Sequence, residues 1–553
     1  MSIFKSQPLL ISNRTLQKDP DQLNSPDKPT GKIARSATLV SIAVMFSRVL
    51  GLVREQVFAI LFGAGYAYDS FVVAFRIPNL LRDLFGEGAL SAAFVSVFSD
   101  YNTNKSRQET MMLASNTLCF FGVSISILVL VGMFLADLIV SLLAPDFALV
   151  PGKTELTSLL TIIMMPFLLF VSLAAVVMGI LNTRGIFFLP ALSSSFFNAG
   201  SIITGTSLAI ILPRYGYPAI IGMAIGTLVG GILQLAVQIP ALRKAGFQWY
   251  PRISFHDTGL HRILKLMVPA TIGLSATQIN IFINTNFASS CAEGSVSWLN
   301  YAFRLVQLPI GLFGVAISIA ALPVLASMAS QKKYHEMNDA FISSLTMVFC
   351  LTIPATIGLI FLAEPIIRII FEHGAFTSLD TQATAIALSL YAAGLFAYAS
   401  NKVIVPVFYA INASRYPVIG SFLTIGANII IILFTIETFQ HRAIALSTSL
   451  TMMLNFVFLM TVLYHVNGGF SFARLFSSIT KIAVASGAML LLLYGLSLAL
   501  PISDEHNLLS QILLLAITII SGAALYLMIL WQLKLPEINS LINQVKNKLL
   551  PGN

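Results

Sequence analysis

Long apolar stretches follow one another along almost the whole chain, separated by short polar segments. About 20 apolar residues are needed to cross the roughly 30 Å hydrocarbon layer of a bilayer, so each stretch predicts a transmembrane helix. Fourteen such stretches are present, at residues 37–61, 67–100, 113–142, 155–182, 190–212, 217–241, 262–289, 296–328, 338–363, 380–412, 417–435, 442–464, 479–500 and 509–532. The pattern predicts an all-α integral membrane protein.

Composition supports this interpretation. Of the 553 residues, 57% are hydrophobic and only 10% are charged, and the mean hydropathy is +0.86. Soluble domains carry about 25% charged residues. The three cysteines lie far apart in apolar stretches, so they predict neither a disulfide framework nor a metal site.

Positive charges are distributed unequally between alternate loops. One set contains most of the Lys and Arg residues, whereas the other holds only Lys153, Arg214, Arg368 and Arg442. By the positive-inside rule, both termini are predicted to be cytoplasmic. This asymmetry also accounts for the net charge of +9 without a nucleic-acid partner.

The predicted organisation has six segments. Residues 1–35 form a polar cytoplasmic tail, expected to be disordered, and residues 36–242 form a first lobe of six helices. A basic cytoplasmic linker at 243–261 precedes a second lobe of six helices at 262–465. The last two helices lie within 466–535, and residues 536–553 form a second cytoplasmic tail.

An internal repeat relates the two lobes. Ala74-Phe75-Arg76-Ile77, followed by Leu84-Phe85-Gly86, recurs as Ala302-Phe303-Arg304-Leu305, followed by Leu312-Phe313-Gly314, at a constant offset of 228 residues. Six helices separate equivalent positions, so the lobes are predicted to be parallel repeats, as in one class of transporter. Gly and Pro interrupt both repeated helices, which points to a site near the bilayer midplane.

Six cations fall inside the predicted helices, namely Arg48, Arg54, Arg76, Arg82, Arg304 and Lys402. Each costs at least about 2.5–3.5 kcal/mol at a bilayer centre, so together they require counter-charges, water or a ligand. The candidate counter-charges are Glu55, Asp69, Asp83 and Glu87. Helical spacing places Arg76, Asn79, Asp83 and Glu87 on one face of the second helix.

These cations predict a basic cavity that binds an anion. Arg suits phosphate because its planar guanidinium forms bidentate charged hydrogen bonds. The alternative for any single Arg is that it reaches a membrane interface, and Arg54 has a further alternative in a local pair with Glu55. Lys402 has an alternative in the backbone carbonyls freed by Pro406. No acidic metal site, nucleophile–base pair or phosphate loop is recognisable, so a transporter is predicted rather than an enzyme.

Several specific motifs are spaced along both lobes. They include Ser47-Arg48-Val49-Leu50-Gly51-Leu52-Val53-Arg54-Glu55, Arg76-Ile77-Pro78-Asn79-Leu80-Leu81-Arg82, Gly86-Glu87-Gly88-Ala89, Gly294-Ser295-Val296-Ser297-Trp298 and Phe371-Glu372-His373-Gly374-Ala375-Phe376-Thr377. With these motifs the chain resembles, over roughly residues 36–535, the MurJ (MviN) family of lipid II flippases, in the multidrug/oligosaccharidyl-lipid/polysaccharide exporter superfamily.

The resemblance implies a function in peptidoglycan synthesis, and hence in cell-wall biogenesis and cell shape. Such a protein moves lipid II, an undecaprenyl-pyrophosphate-linked precursor, across the inner membrane by alternating access, and other cell-wall synthesis proteins are conceivable partners. Arg48, Arg54, Arg82 and Arg304 match the family's headgroup-binding arginines, and its last two helices form a groove for the lipid tail. Our predicted substrate-binding set adds Arg76, Asp69, Asn79, Glu87 and Lys402.

Other functions remain open at this point. Arg residues recognise phosphate rather than sugar, so another polyprenyl-pyrophosphate-linked oligosaccharide is an alternative substrate. A multidrug exporter would be expected to use acidic cavity residues, and a membrane transferase an acidic site. Some relatives bind Na⁺ through an acid in the seventh helix, where this chain has only Asn280, Asn284 and Asn286. We therefore predict no cofactor and no Na⁺ site, with membrane potential or protons as the energy source.

Overall fold

The computed structural model describes residues 29–86, 88–251, 253–500 and 507–537, and these contain helices and no strand. The predicted all-α class is confirmed. The helices of the first lobe are α1 (Pro29–Phe62), α2 (Tyr66–Leu81), α3 (Ala89–Asn104), α4 (Arg107–Phe134), α5 (Ala136–Leu143), α6 (Lys153–Met164), α7 (Phe167–Thr183), α8 (Phe188–Ile211), α9 (Ile220–Ala236) and α10 (Ile239–Lys244).

The remaining helices build the second lobe and the C-terminal pair. They are α11 (Thr258–Ser289), α12 (Ser295–Pro309), α13 (Ala316–Ser330), α14 (Tyr334–Phe361), α15 (Ala363–Phe371), α16 (Ser378–Ala393), α17 (Leu395–Ala410), α18 (Arg415–Phe439), α19 (His441–Val466), α20 (Phe472–Ala499) and α21 (Leu508–Gln532). Helix α1 begins at Pro29, so the last part of the predicted polar tail is helical. The rest of that tail and most of the C-terminal tail lie outside the described residues.

Each of the fourteen predicted stretches overlaps a helix or a pair of consecutive helices. Ten of these are long and apolar enough to cross a membrane, or up to twelve if each of two bent pairs counts as one span. The first helix and the pair α2–α3 with the segment between them, which carry four of the six predicted intramembrane cations, are not among them. The multi-pass character is therefore confirmed, whereas the count of fourteen is not.

The internal repeat reappears as a shared irregularity of the backbone. A π-helical segment, Arg82–Gly86, joins α2 to α3, and a second one, Ile310–Val315, joins α12 to α13. Their first residues are 228 positions apart, the offset that relates the sequence motifs. Such π-helical turns are rare and are frequently found at functional sites. The two lobes thus share both a sequence repeat and the break in the repeated helix.

Small residues set the packing of the first lobe. In α9, Gly222, Gly226 and Gly230 recur every fourth residue and face α8. A Cβ at Gly226 would lie 2.6 Å from the Cα of Gly205 and 2.7 Å from the carbonyl oxygen of Ser201. Close backbone contact through small residues is typical of helices in membranes, where dispersion forces replace the hydrophobic effect between helices.

Helix α11 connects the two lobes. It bends by 44° between Thr258–Gly273 and Ser275–Ser289, close to Pro269, which interrupts its hydrogen bonds. Its first half packs along α3, and its second half packs along α18. The C-terminal helices α20 and α21 pack on α14, where the Tyr526 hydroxyl donates to the Cys350 carbonyl at 2.6 Å.

Candidate functional site: an arginine cluster between the lobes

Helix α1 places two arginines next to the lobe interface. The side-chain amide of Asn198 in α8 donates to the Ser47 carbonyl at 3.1 Å, which fixes α1 one residue before Arg48. The Arg54 guanidinium is buried, forms an ion pair with Glu55 at 2.8 Å, and lies 5.3 Å from the centroid of the Phe197 ring. The predicted local pair of Arg54 with Glu55 is therefore present.

Glu55 is the carboxylate on which three other side chains converge. Besides Arg54, it receives Arg304 Nε from the second lobe at 3.5 Å and a hydrogen bond from the Tyr68 hydroxyl. Tyr68 in turn accepts a hydrogen bond from the Asn300 side-chain amide at 2.9 Å. A single buried carboxylate thus brings α1, α2 and α12 together, and it draws one arginine from each lobe into the same site.

Arg48 contacts the second lobe in a different way. Its guanidinium lies against Gly311, in the second π-helical segment, and a Cβ added to that glycine would lie 2.6 Å from Arg48 Cζ. Within the described residues, the Arg48 guanidinium has no ion pair and no hydrogen bond. Arg48, whose side chain is exposed at the lobe interface, therefore has no counter-charge in the part of the chain that the structure describes.

The first π-helical segment carries the remaining arginine of the predicted motif. Arg82 donates through Nε and Nη2 to the same carboxylate oxygen of Asp83, at 3.1 and 2.8 Å. The other oxygen of Asp83 accepts from the Gln278 side chain of α11 at 3.2 Å.

Before this segment, in α2, Arg76 has a buried Nε with no hydrogen-bond partner in the described part of the chain.

We call Arg48, Arg54, Arg76, Arg82 and Arg304 the arginine cluster. Among the described residues, its five guanidinium groups face two carboxylates, those of Glu55 and Asp83. Of the five, Arg54 is buried and Arg76, Arg82 and Arg304 are half-buried, whereas Arg48 is exposed. An excess of positive charge inside a membrane protein is costly unless an anion or water compensates it. The arrangement therefore fits a doubly charged anion such as a pyrophosphate, held by forked hydrogen bonds.

A second polar network closes the lobe interface at the far end of α11 from the linker. Asp69 is almost fully buried and accepts hydrogen bonds from the backbone N–H groups of Gly294 at 3.0 Å and Ser297 at 2.9 Å. It also accepts from the Ser297 hydroxyl at 2.6 Å and pairs with Lys153 at 3.1 Å. Asp69 of the first lobe thus caps the N-terminus of α12 in the second lobe.

The capping is reciprocal. Glu293, just before α12, accepts a hydrogen bond from the backbone N–H of Tyr66 at the start of α2, at 2.7 Å. Carboxylates are favourable at helix N-termini because of the exposed N–H groups and the helix dipole. We call Asp69, Lys153, Glu293, Gly294 and Ser297 the seal. Two further lobe contacts flank it: the Tyr301 hydroxyl donates to the Gly63 carbonyl at 3.0 Å, and the Ala375 N–H donates to the Ile60 carbonyl at 2.9 Å.

Comparison with known proteins shows the family of this chain. The family model described as "Lipid II flippase MurJ" matches residues 58–534. The chain belongs to the MurJ family. A "Probable lipid II flippase MurJ" from Buchnera aphidicola subsp. Acyrthosiphon pisum is 36% identical over 77% of this chain and 82% of its own. A protein of the same description from Vibrio cholerae is 35% identical over 80% of this chain and 85% of its own.

Solved structures agree with the family assignment. "Lipid II flippase MurJ, inward closed conformation" superimposes with a TM-score of 0.73 at 33% identity, covering 89% of this chain and 98% of that one. An inward-facing multidrug resistance MATE transporter of the MOP superfamily gives a TM-score of 0.58 at 15% identity, covering 77% and 94% of the two chains. This second likeness concerns the fold alone. The resemblance inferred from the sequence motifs is confirmed.

The other predicted site residues of this MurJ-family chain take different positions. Asp69 belongs to the seal, where its oxygens are already occupied, and Asn79 is half-buried one turn after Arg76. Glu87 lies outside the described residues. Lys402 is on α17, which packs on the second π-helical segment. Its ammonium makes no hydrogen bond to a backbone carbonyl within the described residues, so its predicted role as a ligand contact remains a prediction, as do those of the others.

Amide side chains occupy the part of α11 where the sequence comparison led us to look for a Na⁺ ligand. Asn428 Nδ2 donates to Asn280 Oδ1 at 2.9 Å and to Asn284 Oδ1 at 2.7 Å. Asn284 Nδ2 donates to the Thr448 hydroxyl at 3.1 Å. These uncharged groups join α11 to α18 and α19, and the buried Asn428 Oδ1 has no hydrogen-bond partner among the described residues. In the described residues no group of three or more His, Cys, Asp or Glu side chains is placed to hold a metal ion.

An apolar cavity of about 560 Å³ lies in the second lobe, away from the arginine cluster. It is bounded by α14, α16, α17, α19 and α20, with Phe349, Phe396, Phe456 and Phe472 among its lining residues. The cavity borders α20, one of the two helices that are predicted to form the lipid-tail groove. A lining of this kind suits hydrocarbon rather than a charged headgroup.

Sequence reasoning missed part of the site. Lys153 is one of the few cations in the opposite loops, and the structure buries it against Asp69. That exception to the charge asymmetry is a signal present in the sequence. Ser297, the residue that Asp69 binds, lies 228 positions after it. The repeat offset is therefore a second signal, because it pairs these two residues by their equivalent positions alone.

Proposed function

We propose that this MurJ-family chain is a lipid II flippase, a transporter and not an enzyme, of the bacterial inner membrane. The observation that carries the proposal is the cationic excess of the arginine cluster, placed between two repeat-related lobes. The two relatives compared above are described as probable lipid II flippases, so lipid II is the lipid that we assign to this chain. A pyrophosphate-linked headgroup is an anion of the type this cluster would bind.

The arginines would receive the pyrophosphate with both lobes contributing. Arg304 comes from the second lobe, whereas Arg48, Arg54, Arg76 and Arg82 come from the first. Each guanidinium offers a planar pair of donors, and such charged hydrogen bonds contribute roughly 1.5–3 kcal/mol each. Because the ligand would be bound by both lobes, its capture would favour their approach around it.

The route follows from the position of the seal. By the predicted orientation, the seal lies on the periplasmic side and closes the site there, so lipid II would enter from the cytoplasmic leaflet. Rearrangement of the two lobes would then separate Asp69 from the N-terminus of α12 and open the site to the periplasm. The lipid tail would remain in the bilayer, next to α20 and α21.

A depletion experiment tests the function. The chain is expressed in cells whose own MurJ-family protein can be shut off, and the lipid-linked precursors of each leaflet are measured. We expect growth to continue and lipid II to reach the periplasmic leaflet. Cells that lyse and accumulate lipid II on the cytoplasmic side, despite normal membrane levels of the chain, would refute the proposal. Accumulation of a different polyprenyl-pyrophosphate-linked oligosaccharide would favour the alternative substrate.

For the energy source, we propose membrane potential rather than Na⁺. The uncharged cluster of Asn280, Asn284, Asn428 and Thr448 supports this choice, because α11 contains no carboxylate to balance the charge of a bound cation. Moving one elementary charge through 100 mV is worth about 2.3 kcal/mol, and the empty arginine cluster carries net positive charge. An inside-negative potential would draw the empty cluster toward the cytoplasm, and binding of the pyrophosphate would cancel that charge.

The energy source is tested by separating the two gradients. Transport is measured after a potential-collapsing ionophore is added, and separately in Na⁺-free medium at constant potential. We expect the ionophore to stop transport and Na⁺ removal to leave it unchanged. Strict dependence on Na⁺ with indifference to the ionophore would contradict the proposal.

A further inference from the structure

Gly311 is the second residue of the second π-helical segment, and the Arg48 guanidinium of the other lobe lies on it. The three heavy atoms nearest to a Cβ at this position all belong to that guanidinium, with Cζ at 2.6 Å. Gly311 is not among the glycines with a positive φ, so the backbone conformation itself would accept a side chain. Glycine at position 311 is therefore needed to leave room for the Arg48 guanidinium and is not needed for the backbone conformation.

The repeat gives this contact a counterpart. Gly311 lies 228 positions after Asp83, so the two residues hold equivalent positions in the two π-helical segments. At Asp83, the Arg82 guanidinium is neutralised by the carboxylate at 2.8 Å. At Gly311, the Arg48 guanidinium lies on bare backbone and, among the described residues, pairs with no acid. Equivalent positions in the two lobes thus each hold one guanidinium, whose charge is compensated by a described carboxylate in the first lobe but not in the second.

We infer that Gly311 is a positioning residue for the transported anion: it seats the Arg48 guanidinium against the second lobe with its charge available for a pyrophosphate oxygen. This inference rests on the proposed function, because it specifies how the anion site of the flippase is built. Arg48 belongs to the first lobe and Gly311 to the second. The seat therefore exists only while the two lobes meet at this point, and lobe separation would release Arg48.

Two substitutions at this position have different expected consequences. Alanine would push the guanidinium off its seat, and this displacement is easily accommodated because the clashing atoms are the end of a flexible side chain. Aspartate would reproduce the arrangement of the first lobe and neutralise Arg48. Both substitutions should therefore weaken anion binding, and Gly311→Asp should do so more strongly than Gly311→Ala.

The test measures binding of undecaprenyl pyrophosphate, which carries the pyrophosphate without sugar or peptide, to the full-length protein in lipid nanodiscs. We expect Gly311→Ala to bind at least about tenfold more weakly, the loss of one charged, bidentate contact. Gly358→Ala and Gly426→Ala are matched controls, because a Cβ at either position meets no atom within 4 Å. The controls should bind like the unmodified chain.

A double-mutant cycle separates positioning from a general structural effect. Arg48→Ala alone and Arg48→Ala with Gly311→Ala are compared in the same assay. If Gly311 acts through Arg48, the double variant binds no more weakly than Arg48→Ala alone. In the double variant the methyl group occupies space vacated by the guanidinium, so this comparison holds even if Gly311→Ala alone is unstable. Additive losses, or a Gly311→Ala protein that binds normally, would overturn the inference.

The same experiment distinguishes failure of the inference from failure of the proposed function. If the unmodified chain binds undecaprenyl pyrophosphate and Gly311→Ala matches the glycine controls, only the role of Gly311 is wrong. If the unmodified chain neither binds that lipid nor moves lipid II between leaflets of proteoliposomes, the proposed function itself fails.

Discussion

The seal and the arginine cluster both include residues of the repeat-related helices α2 and α12, yet their charges are compensated differently. In the seal, Asp69 receives four interactions from the second lobe and from Lys153, all within 3.1 Å. In the arginine cluster, five guanidinium groups share two carboxylates among the described residues, and Arg48 and Arg76 have no ion pair there.

This difference separates a closed gate from a binding site. A buried charge whose partners are all present stabilises one arrangement of the lobes, and its separation leaves groups unsatisfied on both sides. A buried charge without a partner stabilises no single arrangement until a ligand supplies the partner. The seal should therefore govern conformational stability, whereas the cluster should govern affinity and transport. Three substitutions test this division.

The largest effect is expected for Asp69→Asn. The substitution leaves the buried Lys153 ammonium without a carboxylate, and breaking a buried ion pair from one side typically costs about 3–5 kcal/mol. We expect the free energy of unfolding, measured by denaturant titration of the purified protein, to fall by that amount. Binding of undecaprenyl pyrophosphate should change much less than stability.

Two further variants control this prediction. Asp137→Asn removes an exposed carboxylate that contacts no other lobe and should leave stability unchanged. Adding Lys153→Met to Asp69→Asn removes the stranded cation and should recover part of the loss. Unchanged stability of Asp69→Asn would mean that the seal does not hold the lobes together.

A smaller effect of a different kind is expected for Arg304→Ala. Glu55 keeps Arg54 and Tyr68 as partners, so the fold should remain intact. Loss of one charged contact with the substrate is worth roughly 1.5–3 kcal/mol, which corresponds to an approximately 10- to 150-fold slower flipping rate at low lipid II concentration. Transport into proteoliposomes measures this rate. Arg304→Lys should restore little activity, because an ammonium lacks the planar fork.

Arg415→Ala serves as the matched control for Arg304. Its guanidinium lies 4.7 Å from the centroid of the Tyr416 ring at the exposed end of α18, far along the chain from the cluster. We expect normal transport for this variant. Equal activity of Arg304→Ala and Arg415→Ala would remove Arg304 from the binding site.

The comparison also shows which parts of the molecule can be predicted from sequence. Helices, lobes and buried cations are recognisable because a bilayer penalises polar residues strongly, so that apolar stretches and isolated charges both stand out. The repeat offset correctly places the two breaks, at Arg82–Gly86 and Ile310–Val315. These features depend on local sequence or on its recurrence.

The partners of each charge are harder to predict. Sequence position groups Asp69 with the cavity counter-charges, but its carboxylate binds backbone N–H groups at the start of α12, and only the repeat offset of 228 residues links it to Ser297 in the sequence. The seat of Arg48 at Gly311 depends on the distance between the two lobes. Spacing along one helix determines which face a residue occupies, whereas contacts between lobes depend on tertiary packing.

The smallest effect is expected for Glu293→Gln, the other half of the reciprocal capping. Glu293 accepts the Tyr66 N–H at 2.7 Å in an exposed position, and glutamine keeps an oxygen acceptor while losing the charge. An exposed charge at a helix N-terminus contributes about 0.3–1 kcal/mol. If the seal acts as a gate, that loss should raise the labelling rate of a cysteine placed behind it, Asn300→Cys, by roughly two- to fivefold. The reagent is a membrane-impermeant thiol probe added on the side of the seal, in a background without the native cysteines.

Glu364→Gln is the control for this prediction: it disrupts an ion pair confined to α15 and should leave labelling unchanged. An effect of Glu293→Gln as large as that of Asp69→Asn would show that charge at the helix ends, rather than the buried pair with Lys153, holds the seal closed.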